Sequence, residues 1–258
     1  MNCEILDKTG SYDFLTEPFH CDFSHRIFLG VLGNHLLNAA DFHSNERGYG
    51  MDYLNTVHRT WVLSRFVMEL DEMPRAYDRI TVETWVDSVM RFFTSRNFSI
   101  LNTEGKPYGY GKSVWAMIDT ETRQPVDILK VRDGLITQYI EKEKQCPIEP
   151  FVRVKMAKDA PCARVVDTMY SDVDVNGHIN SVKYIEHILN LWGLDWYRSH
   201  RLQRFDIAYI AESHYGDKLH IYVDETEENV FGVSVVKHPQ DGTDPVEVCK
   251  CRVKFVKV

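Results

Sequence analysis

The sequence contains two stretches of equal length that align without a gap. Residues 65–82 read R-F-V-M-E-L-D-E-M-P-R-A-Y-D-R-I-T-V, and residues 204–221 read R-F-D-I-A-Y-I-A-E-S-H-Y-G-D-K-L-H-I. The offset is 139 positions (204 − 65), both copies open with Arg-Phe, and Asp78 falls on Asp217. A fixed period between similar segments is the main sign of a duplicated architecture. The sequence therefore predicts two similar units in one chain.

The similarity continues on both sides of these stretches. At the same offset, Val114 falls on Val253, each within a run rich in apolar residues. Upstream, His35 falls on His178 at an offset of 143 (178 − 35), so the intervening loop differs by four residues (143 − 139) between the halves. Loops tolerate such changes in length, so both matches are compatible with one duplication.

Each half has the same predicted order: a short strand, one helix and then a run of strands. In the second half the predicted helix begins near His178, and its apolar residues recur at helical spacing. They are Ile185, Ile188, Leu189, Trp192 and Trp196. Four runs rich in β-branched and aromatic residues follow, at residues 205–210, 218–223, 231–237 and 246–256. Because strands joined by short loops pair antiparallel, we predict two α+β units.

A charged stretch with prolines separates the halves. Residues 141–150 read E-K-E-K-Q-C-P-I-E-P, a composition typical of a linker between domains. We predict a first domain at residues 1–140, a linker at residues 141–158 and a second domain at residues 159–258.

The composition narrows the classes of protein that the chain can belong to. It has 258 residues, of which 44% are hydrophobic and 26% charged, as in a soluble globular protein. The net charge of −8 disfavours a broad nucleic-acid-binding surface, and no apolar run reaches the ~20 residues that cross a bilayer. The N-terminal M-N-C-E-I-L-D-K-T-G lacks the features of a secretory signal. The six cysteines, Cys3 among them, lack a C-x-x-C pair, which fits a reducing compartment and gives no zinc motif. We therefore expect a cytoplasmic protein with no nucleic-acid or membrane partner and no bound metal.

Polar and apolar residues alternate just before the second predicted helix. Residues 171–184 read S-D-V-D-V-N-G-H-I-N-S-V-K-Y, and the alternation places Asp174, Asn176 and His178 on one side of the chain. The first free N–H groups of a helix favour negative charge and can receive an oxyanion. Asp172 is expected to serve as the N-cap of that helix, as aspartate commonly does.

Glu212 lies at the end of a strand-like run, before the turn that contains Gly216. A carboxylate beside a histidine can take a proton from water while backbone donors hold the developing oxyanion, as ester or thioester hydrolysis requires. Taken alone, Glu212 is equally compatible with a solvated loop carboxylate.

Comparison of the halves separates these two interpretations. The first-half residues that match Asp174, Asn176 and Glu212 are Val31, Gly33 and Met73. Only the second half carries the polar set, so the sequence predicts one active site.

The pattern D-x-D-x-N-G-H-I-N-x-x-x-Y at residues 172–184 resembles the signature of hot-dog-fold thioesterases. The doubled chain is similar to the acyl-acyl carrier protein thioesterases of plants and bacteria, also at residues 61–65, 84–86 and 113–117. The resemblance implies a tandem hot-dog fold in which each half is an antiparallel sheet wrapped around a central helix. It implies that the first domain binds the acyl chain and that the second hydrolyses fatty acyl-acyl carrier protein, ending fatty acid synthesis. No cofactor is implied.

The resemblance also implies which residues are catalytic: Asp174, Asn176, His178 and Glu212. In many family members a cysteine that was assigned as the nucleophile follows the glutamate, but here that residue is Ser213. The difference favours water activated by Glu212, with Ser213 as an auxiliary residue or an alternative nucleophile.

The implied partner is an acyl carrier protein that bears a fatty acyl-phosphopantetheine. Because such carriers are acidic, the enzyme needs local basic residues, and three arginines follow the predicted catalytic helix. We predict that Arg198, Arg201 and Arg204 bind the carrier. Solvated surface charges or capping of the helix C-terminus would explain the same residues.

Three other functions are compatible with the same residues. They are an acyl-CoA thioesterase, a hot-dog dehydratase and a non-catalytic acyl-binding module. The duplication supplies within one chain the pairing that single hot-dog units obtain by dimerising, and a homodimer of the whole chain is compatible with it.

Overall fold

The structure, a computed structural model, describes residues 6–258. Cys3, and the part of the predicted signal-free N-terminus that precedes Leu6, lie outside the described residues. The chain divides into two compact units: the first comprises the chain up to Phe66 and Asp71–Glu149, and the second comprises Val67–Leu70 and Pro150–Val258. None of the helices formed by residues 6–258 is long and apolar enough to span a membrane.

The first unit contains a long helix and an antiparallel sheet. Its strands run in the order β1-β3-β4-β5-β2. The helix α1 packs against β1 and β3 and buries Leu32, Leu36 and Ala39. The elements are β1 Thr9–Leu15, α1 Leu29–Glu46, α2 Met51–Leu54, β2 Arg59–Leu70, β3 Arg79–Val89, β4 Phe93–Leu101 and β5 Pro107–Asp119, with 3₁₀ turns at Pro18–His20, at Asn55–Val57 and within Ile128–Tyr139.

The second unit repeats this plan with shorter helices. Its strands run in the order β6-β8-β9-β10-β7, with antiparallel neighbours throughout. The helix α3 buries Val182, Ile185 and Ile188. The elements are β6 Cys162–Asp167, a 3₁₀ turn Tyr170–Asp172, α3 Ser181–Leu189, α4 Leu194–Ser199, β7 His200–Tyr209, β8 Lys218–Glu227, β9 Val230–His238 and β10 Val246–Lys257.

The two units confirm the predicted duplication. Strand β8 begins 139 residues after β3 (218 − 79), and β10 begins 139 residues after β5 (246 − 107). The matched aspartates also make the same contact: Asp78 Oδ2 accepts from the N–H of Arg75 at 2.8 Å, and Asp217 Oδ2 accepts from the N–H of His214 at 2.9 Å. The predicted α+β class with antiparallel sheets is confirmed.

The predicted helix of the second half was wrong at both ends. Helix α3 begins at Ser181 rather than near His178, because Gly177 has a φ of +81° and Asn180 takes the N-cap position. It ends at Leu189, and after Gly193, a poor helix former, α4 begins at Leu194.

The apolar stripe of the predicted helix is therefore shared by two helices. Trp192 and Trp196 still pack into the interior of the second unit. The Trp192 ring lies 5.0 Å from that of Phe231 and 4.8 Å from that of Phe255, and the corresponding Trp196 distances are 5.7 Å and 5.5 Å.

Residues 141–161 form no helix or strand. The part up to Glu149 contacts the first unit, where Lys144 Nζ donates to Glu83 Oε2 at 2.7 Å. The part from Pro150 contacts the second unit, where the N–H of Ala157 donates to Asp224 Oδ2 at 2.8 Å.

Candidate active site

The predicted polar set lies on a tight loop in the second unit, which we call the His178 loop (residues 172–180). Gly177 closes the loop, and its N–H donates to the carbonyl of Asp174 at 3.0 Å. Glycine adopts the positive φ found here at little cost. Backbone contacts pair the two sides of the loop: Asp172 with Asn180, Val173 with Ile179, and Asp174 with His178.

The side chain of Asp174 shapes the tip of this loop. Its Oδ1 accepts from the N–H of Asn176 at 2.8 Å and from that of His178 at 3.3 Å. Aspartate commonly stabilises a turn in this way. The contact fixes the backbone that carries His178, while the side chain of Asn176 is exposed to solvent.

Asp172 does not cap α3 as the sequence predicted. Asn180 caps α3: its Oδ1 accepts from the N–H of Val182 at 3.0 Å. Asp172 instead caps the preceding 3₁₀ turn, where its Oδ2 accepts from the N–H of Met169 at 2.8 Å. The N–H of Lys183 donates to the carbonyl of Asn180. The N–H groups of Val182 and Lys183 are therefore already hydrogen-bonded within the protein. The prediction that the first N–H groups of the helix receive an oxyanion was wrong for these two.

Glu212 lies on a second loop, which we call the Glu212 loop (residues 210–217), directly after β7. A backbone hydrogen bond joins the two loops: the N–H of Ile179 donates to the carbonyl of Ser213 at 2.9 Å. The carbonyl of Glu212 accepts from Lys237 Nζ at 2.7 Å. Because His178 directly precedes Ile179 and Glu212 directly precedes Ser213, this bond places their side chains side by side.

The imidazole of His178 and the carboxylate of Glu212 are in contact. The distance from His178 Nε2 to Glu212 Oε2 is 3.4 Å, and the two side chains are 26% and 36% exposed. The ring of His214 lies edge-on to that of His178, with centroids 5.1 Å apart. Partial exposure lets water and substrate reach a carboxylate that can act as a base, beside a ring that can donate or accept a proton.

Ser213, the alternative nucleophile, is fully buried. Its side chain and backbone lie beside the hydroxyl of Tyr184, where burial raises the tyrosine pKa and Ser213 opposes that rise. Within residues 6–258, no hydrogen bond joins His178 to the Ser213 hydroxyl. A serine without a base at its hydroxyl is a poor nucleophile, so this geometry favours Glu212 as the reactive group.

Sequence analysis missed a threonine that fixes the Glu212 loop. Thr168 Oγ1 accepts from the N–H of Gly216 at 2.9 Å and lies 3.0 Å and 2.9 Å from the carbonyl oxygens of His214 and Asp217. No local sequence pattern marks this threonine, because its partners lie 46 to 49 residues away along the chain.

The three predicted carrier-binding arginines do not form one surface patch. Arg204 is buried in β7, where its guanidinium donates to both carboxylate oxygens of Asp206 at 2.8 Å and pairs with Glu69. Arg201 donates to the carbonyl of Leu70 at 3.1 Å, whereas Arg198 is exposed on α4 and pairs with Asp195. Because β7 begins at His200, Arg201 and Arg204 lie in a strand rather than after the helix, and the docking prediction for Arg204 was wrong.

The first unit has no equivalent of this site at the matching residues. His35, which matches His178, stacks on Phe14 with ring centroids 4.4 Å apart, and burial lowers its pKa. Val31, Gly33 and Met73 stand where the second unit has Asp174, Asn176 and Glu212. Among residues 6–258, no group of His, Cys, Asp or Glu side chains is arranged to hold a metal ion.

Comparison with known families assigns both units. The acyl-ACP thioesterase N-terminal domain model matches residues 10–136, and the acyl-ACP thioesterase C-terminal domain model matches residues 157–255. The chain belongs to the acyl-ACP thioesterase family. The resemblance noted in the sequence is therefore confirmed.

Two solved structures of this family share its fold. An acyl-ACP thioesterase from Bacteroides thetaiotaomicron is 47% identical, with 96% of this chain and 98% of that chain covered and a TM-score of 0.88. A 12:0-ACP thioesterase from Umbellularia californica is 17% identical, with 99% and 100% covered and a TM-score of 0.84. The predicted tandem hot-dog fold is confirmed.

Curated plant relatives are longer than this chain. The chain is 29% identical over 212 residues to a chloroplastic palmitoyl-acyl carrier protein thioesterase from Gossypium hirsutum. That match covers 78% of this chain but only 51% of the relative's length. The chain thus spans about half of that relative's length.

Proposed function

We propose that this chain is a thioesterase that hydrolyses fatty acyl-acyl carrier protein to a free fatty acid and the carrier thiol. The contact of His178 Nε2 with Glu212 Oε2 at 3.4 Å carries the proposal. It lies in the unit that matches the C-terminal domain of the family, and the Bacteroides thetaiotaomicron structure that is 47% identical is described as an acyl-ACP thioesterase.

The proposed reaction uses Glu212 as a general base. Glu212 takes a proton from water as the water oxygen forms a bond to the thioester carbonyl carbon. The resulting oxyanion collapses, the carbon–sulfur bond breaks, and the sulfur leaves and receives the proton. His178 and Asn176 orient the substrate, and Asp174 holds the backbone of the loop that carries both.

The two domains have different proposed roles. Residues 1–140 form the domain that binds the acyl chain, residues 141–158 form a linker, and residues 159–258 form the catalytic domain. The absence of the polar set at Val31, Gly33 and Met73 supports this division. We further propose that the protein is cytoplasmic and acts in fatty acid biosynthesis. That two copies of the chain form a homodimer stays a prediction.

A product analysis tests the proposed reaction. The chain is incubated with carrier-linked acyl groups of increasing length, and free thiol and free fatty acid are measured together. We expect equal amounts of both. Turnover of a carrier-linked 3-hydroxyacyl group without thiol release would indicate a dehydratase, and binding without turnover would indicate an acyl-binding module.

We propose that Arg198 contributes to carrier binding through its charge. Its side chain is 61% exposed and forms a surface ion pair with Asp195. Arg198→Glu is expected to raise KM for a carrier-linked substrate about threefold or more at low ionic strength, because charge steering is least screened there. The effect should vanish at high salt.

Lys257→Glu is the matched control, since Lys257 is also an exposed cation in a surface pair, with Glu228. Its KM and salt response should equal those of the wild type. Equal KM values for Arg198→Glu and the wild type at low salt would remove Arg198 from the docking surface.

A further inference from the structure

A partly buried histidine and a buried aspartate lie behind the His178 loop and touch no group of the proposed reaction. His187 Nε2 is 3.4 Å from Asp172 Oδ1, and the two side chains are 17% and 7% exposed. His187 lies on α3, seven residues after the N-cap Asn180. The proposed mechanism assigns neither residue a chemical role.

Asp172 connects three parts of the second unit. Its Oδ2 accepts from the N–H of Met169, which fixes the 3₁₀ turn before the loop. Its backbone carbonyl accepts from the N–H of Asn180 at 2.8 Å, which closes the base of the His178 loop. Its remaining oxygen faces His187. Through this one residue, the body of α3 is linked to both ends of the loop that carries His178.

The two units of the repeat differ at the positions of this pair. At the offset of 143 that aligns His178 with His35, Asp172 falls on Leu29 and His187 falls on Ser44. The first unit has a longer helix at this place, α1, and forms it without the pair. The pair thus occurs in the unit that carries the proposed site and is absent from the matching positions of the unit that does not.

We infer that Asp172 and His187 are a positioning pair, which holds the His178 loop so that the His178 ring meets Glu212. The inference rests on the proposed function for its kinetic readout. Neither residue contacts the reacting atoms; both act through the loop backbone. The buried Asp172 carboxylate accepts from the N–H of Met169 with one oxygen and faces His187 Nε2 at 3.4 Å with the other. Misplacement of a catalytic group by about 1 Å can lower a rate about 10²-fold.

The energetic cost of this arrangement supports a role beyond simple packing. His187 lies on the helix that buries Val182, Ile185 and Ile188, and its side chain is 17% exposed. Burial lowers the pKa of His187, and the Asp172 carboxylate opposes that change. A buried imidazole and carboxylate are costly to desolvate, and an apolar pair of similar volume would commonly be as stable or more stable.

The test compares three variants of α3. His187→Leu removes the imidazole that faces Asp172, and we expect kcat for thiol release to fall about tenfold or more while KM stays within about twofold, since ground-state binding is unchanged. His187→Gln retains an N–H donor at similar reach and should recover kcat to within about threefold of the wild type. Glu186→Gln, next to it and paired with Lys183, is the matched control and should match the wild type.

A double variant tests whether the two residues act as one. Asp172→Asn keeps an oxygen for the N–H of Met169 but removes the charge that faces His187. The combined Asp172→Asn, His187→Leu variant should lose no more kcat than the more damaged single variant, because residues that form one pair are not additive. If the loss of kcat in the double variant equals the product of the losses in the two single variants, the inference that the residues act as one pair would be overturned.

A readout that does not depend on activity separates this inference from the proposed function. The ring C–H resonances of His178, assigned by loss in His178→Asn, should shift in His187→Leu and stay unchanged in Glu186→Gln. If the wild type hydrolyses no acyl thioester, the proposed function fails while the resonances still test the positioning. Unchanged His178 resonances in His187→Leu would overturn the inference. Equal losses in the Leu and Gln variants with an equal drop in melting temperature would also overturn it.

Discussion

Replacing Glu212 by glutamine is expected to lower kcat by about 10²-fold or more, the usual contribution of a general base. The glutamine amide keeps the size of the side chain but cannot accept the proton of the attacking water. The glutamine side chain can still reach His178, whose Nε2 lies 3.4 Å from Glu212 Oε2, but it carries no negative charge. KM should change little, because the carboxylate acts in the transition state. Steady-state thiol release measures both constants.

Ser213→Ala is the matched control at the next residue. Ser213 is fully buried and its backbone, not its hydroxyl, joins the two loops. The alanine keeps that backbone, so its loss of kcat should be far smaller than that of Glu212→Gln. A burst of thiol with acyl groups trapped on the wild-type protein, together with an inactive Ser213→Ala, would show that the serine is the nucleophile.

Replacing Arg204 by leucine is expected to lower the free energy of unfolding by about 3–5 kcal/mol, as when one partner of a buried ion pair is removed. The leucine leaves the carboxylates of Asp206 and Glu69 without the guanidinium that now pairs with both. Asp206 is itself only 3% exposed, so its charge would stay desolvated. Urea denaturation followed by circular dichroism measures the change.

Arg198→Leu provides the comparison, because Arg198 is an exposed cation of a surface pair. Surface substitutions of this kind change stability by about 0.5 kcal/mol or less. A loss below about 1 kcal/mol for Arg204→Leu would contradict a structural role for the buried ion cluster, since it would fall far short of the cost of a broken buried pair.

The repeat made most of the fold predictable from the sequence. The predicted strands of the second half lie within or nearly within the observed ones, as residues 218–223 lie within β8 and residues 231–237 within β9. These strands could be predicted from local sequence alone, because runs of β-branched and aromatic residues bounded by turn residues favour strands. The match of Asp78 with Asp217 also marked a turn that both units form with the same side-chain contact.

The start of the catalytic helix could not be predicted in the same way. Asp172, Asn176 and Asn180 all have side chains that can cap a helix. Which of them does so depends on the hairpin pairing of residues 172–180, a tertiary feature that the sequence pattern does not reveal. Arg204 was predicted to lie on the surface because it follows the predicted helix in the chain. It is instead buried and pairs with Glu69, which lies 135 residues away in the sequence.

The candidate site was only partly predictable. The residues alone singled out Asp174, Asn176 and His178, but the predicted strand-like alternation was wrong, because these residues lie in a tight loop. The pattern also did not place Glu212 beside His178. The two loops are joined by a backbone hydrogen bond from the N–H of Ile179 to the carbonyl of Ser213. Backbone contacts between distant loops leave no signature in side-chain pattern, and the family resemblance supplied the missing connection.

We propose that the substrate of this site is a fatty acyl group on acyl carrier protein. The most direct measurement is kcat/KM for thiol release from one fatty acyl group presented on acyl carrier protein and on coenzyme A, with Glu212→Gln as the blank. We expect the carrier-linked thioester to be preferred by about tenfold or more, since the protein partner adds charge-steered contacts that coenzyme A lacks. An equal or higher kcat/KM for the coenzyme A thioester would contradict the claim and identify the chain as an acyl-CoA thioesterase.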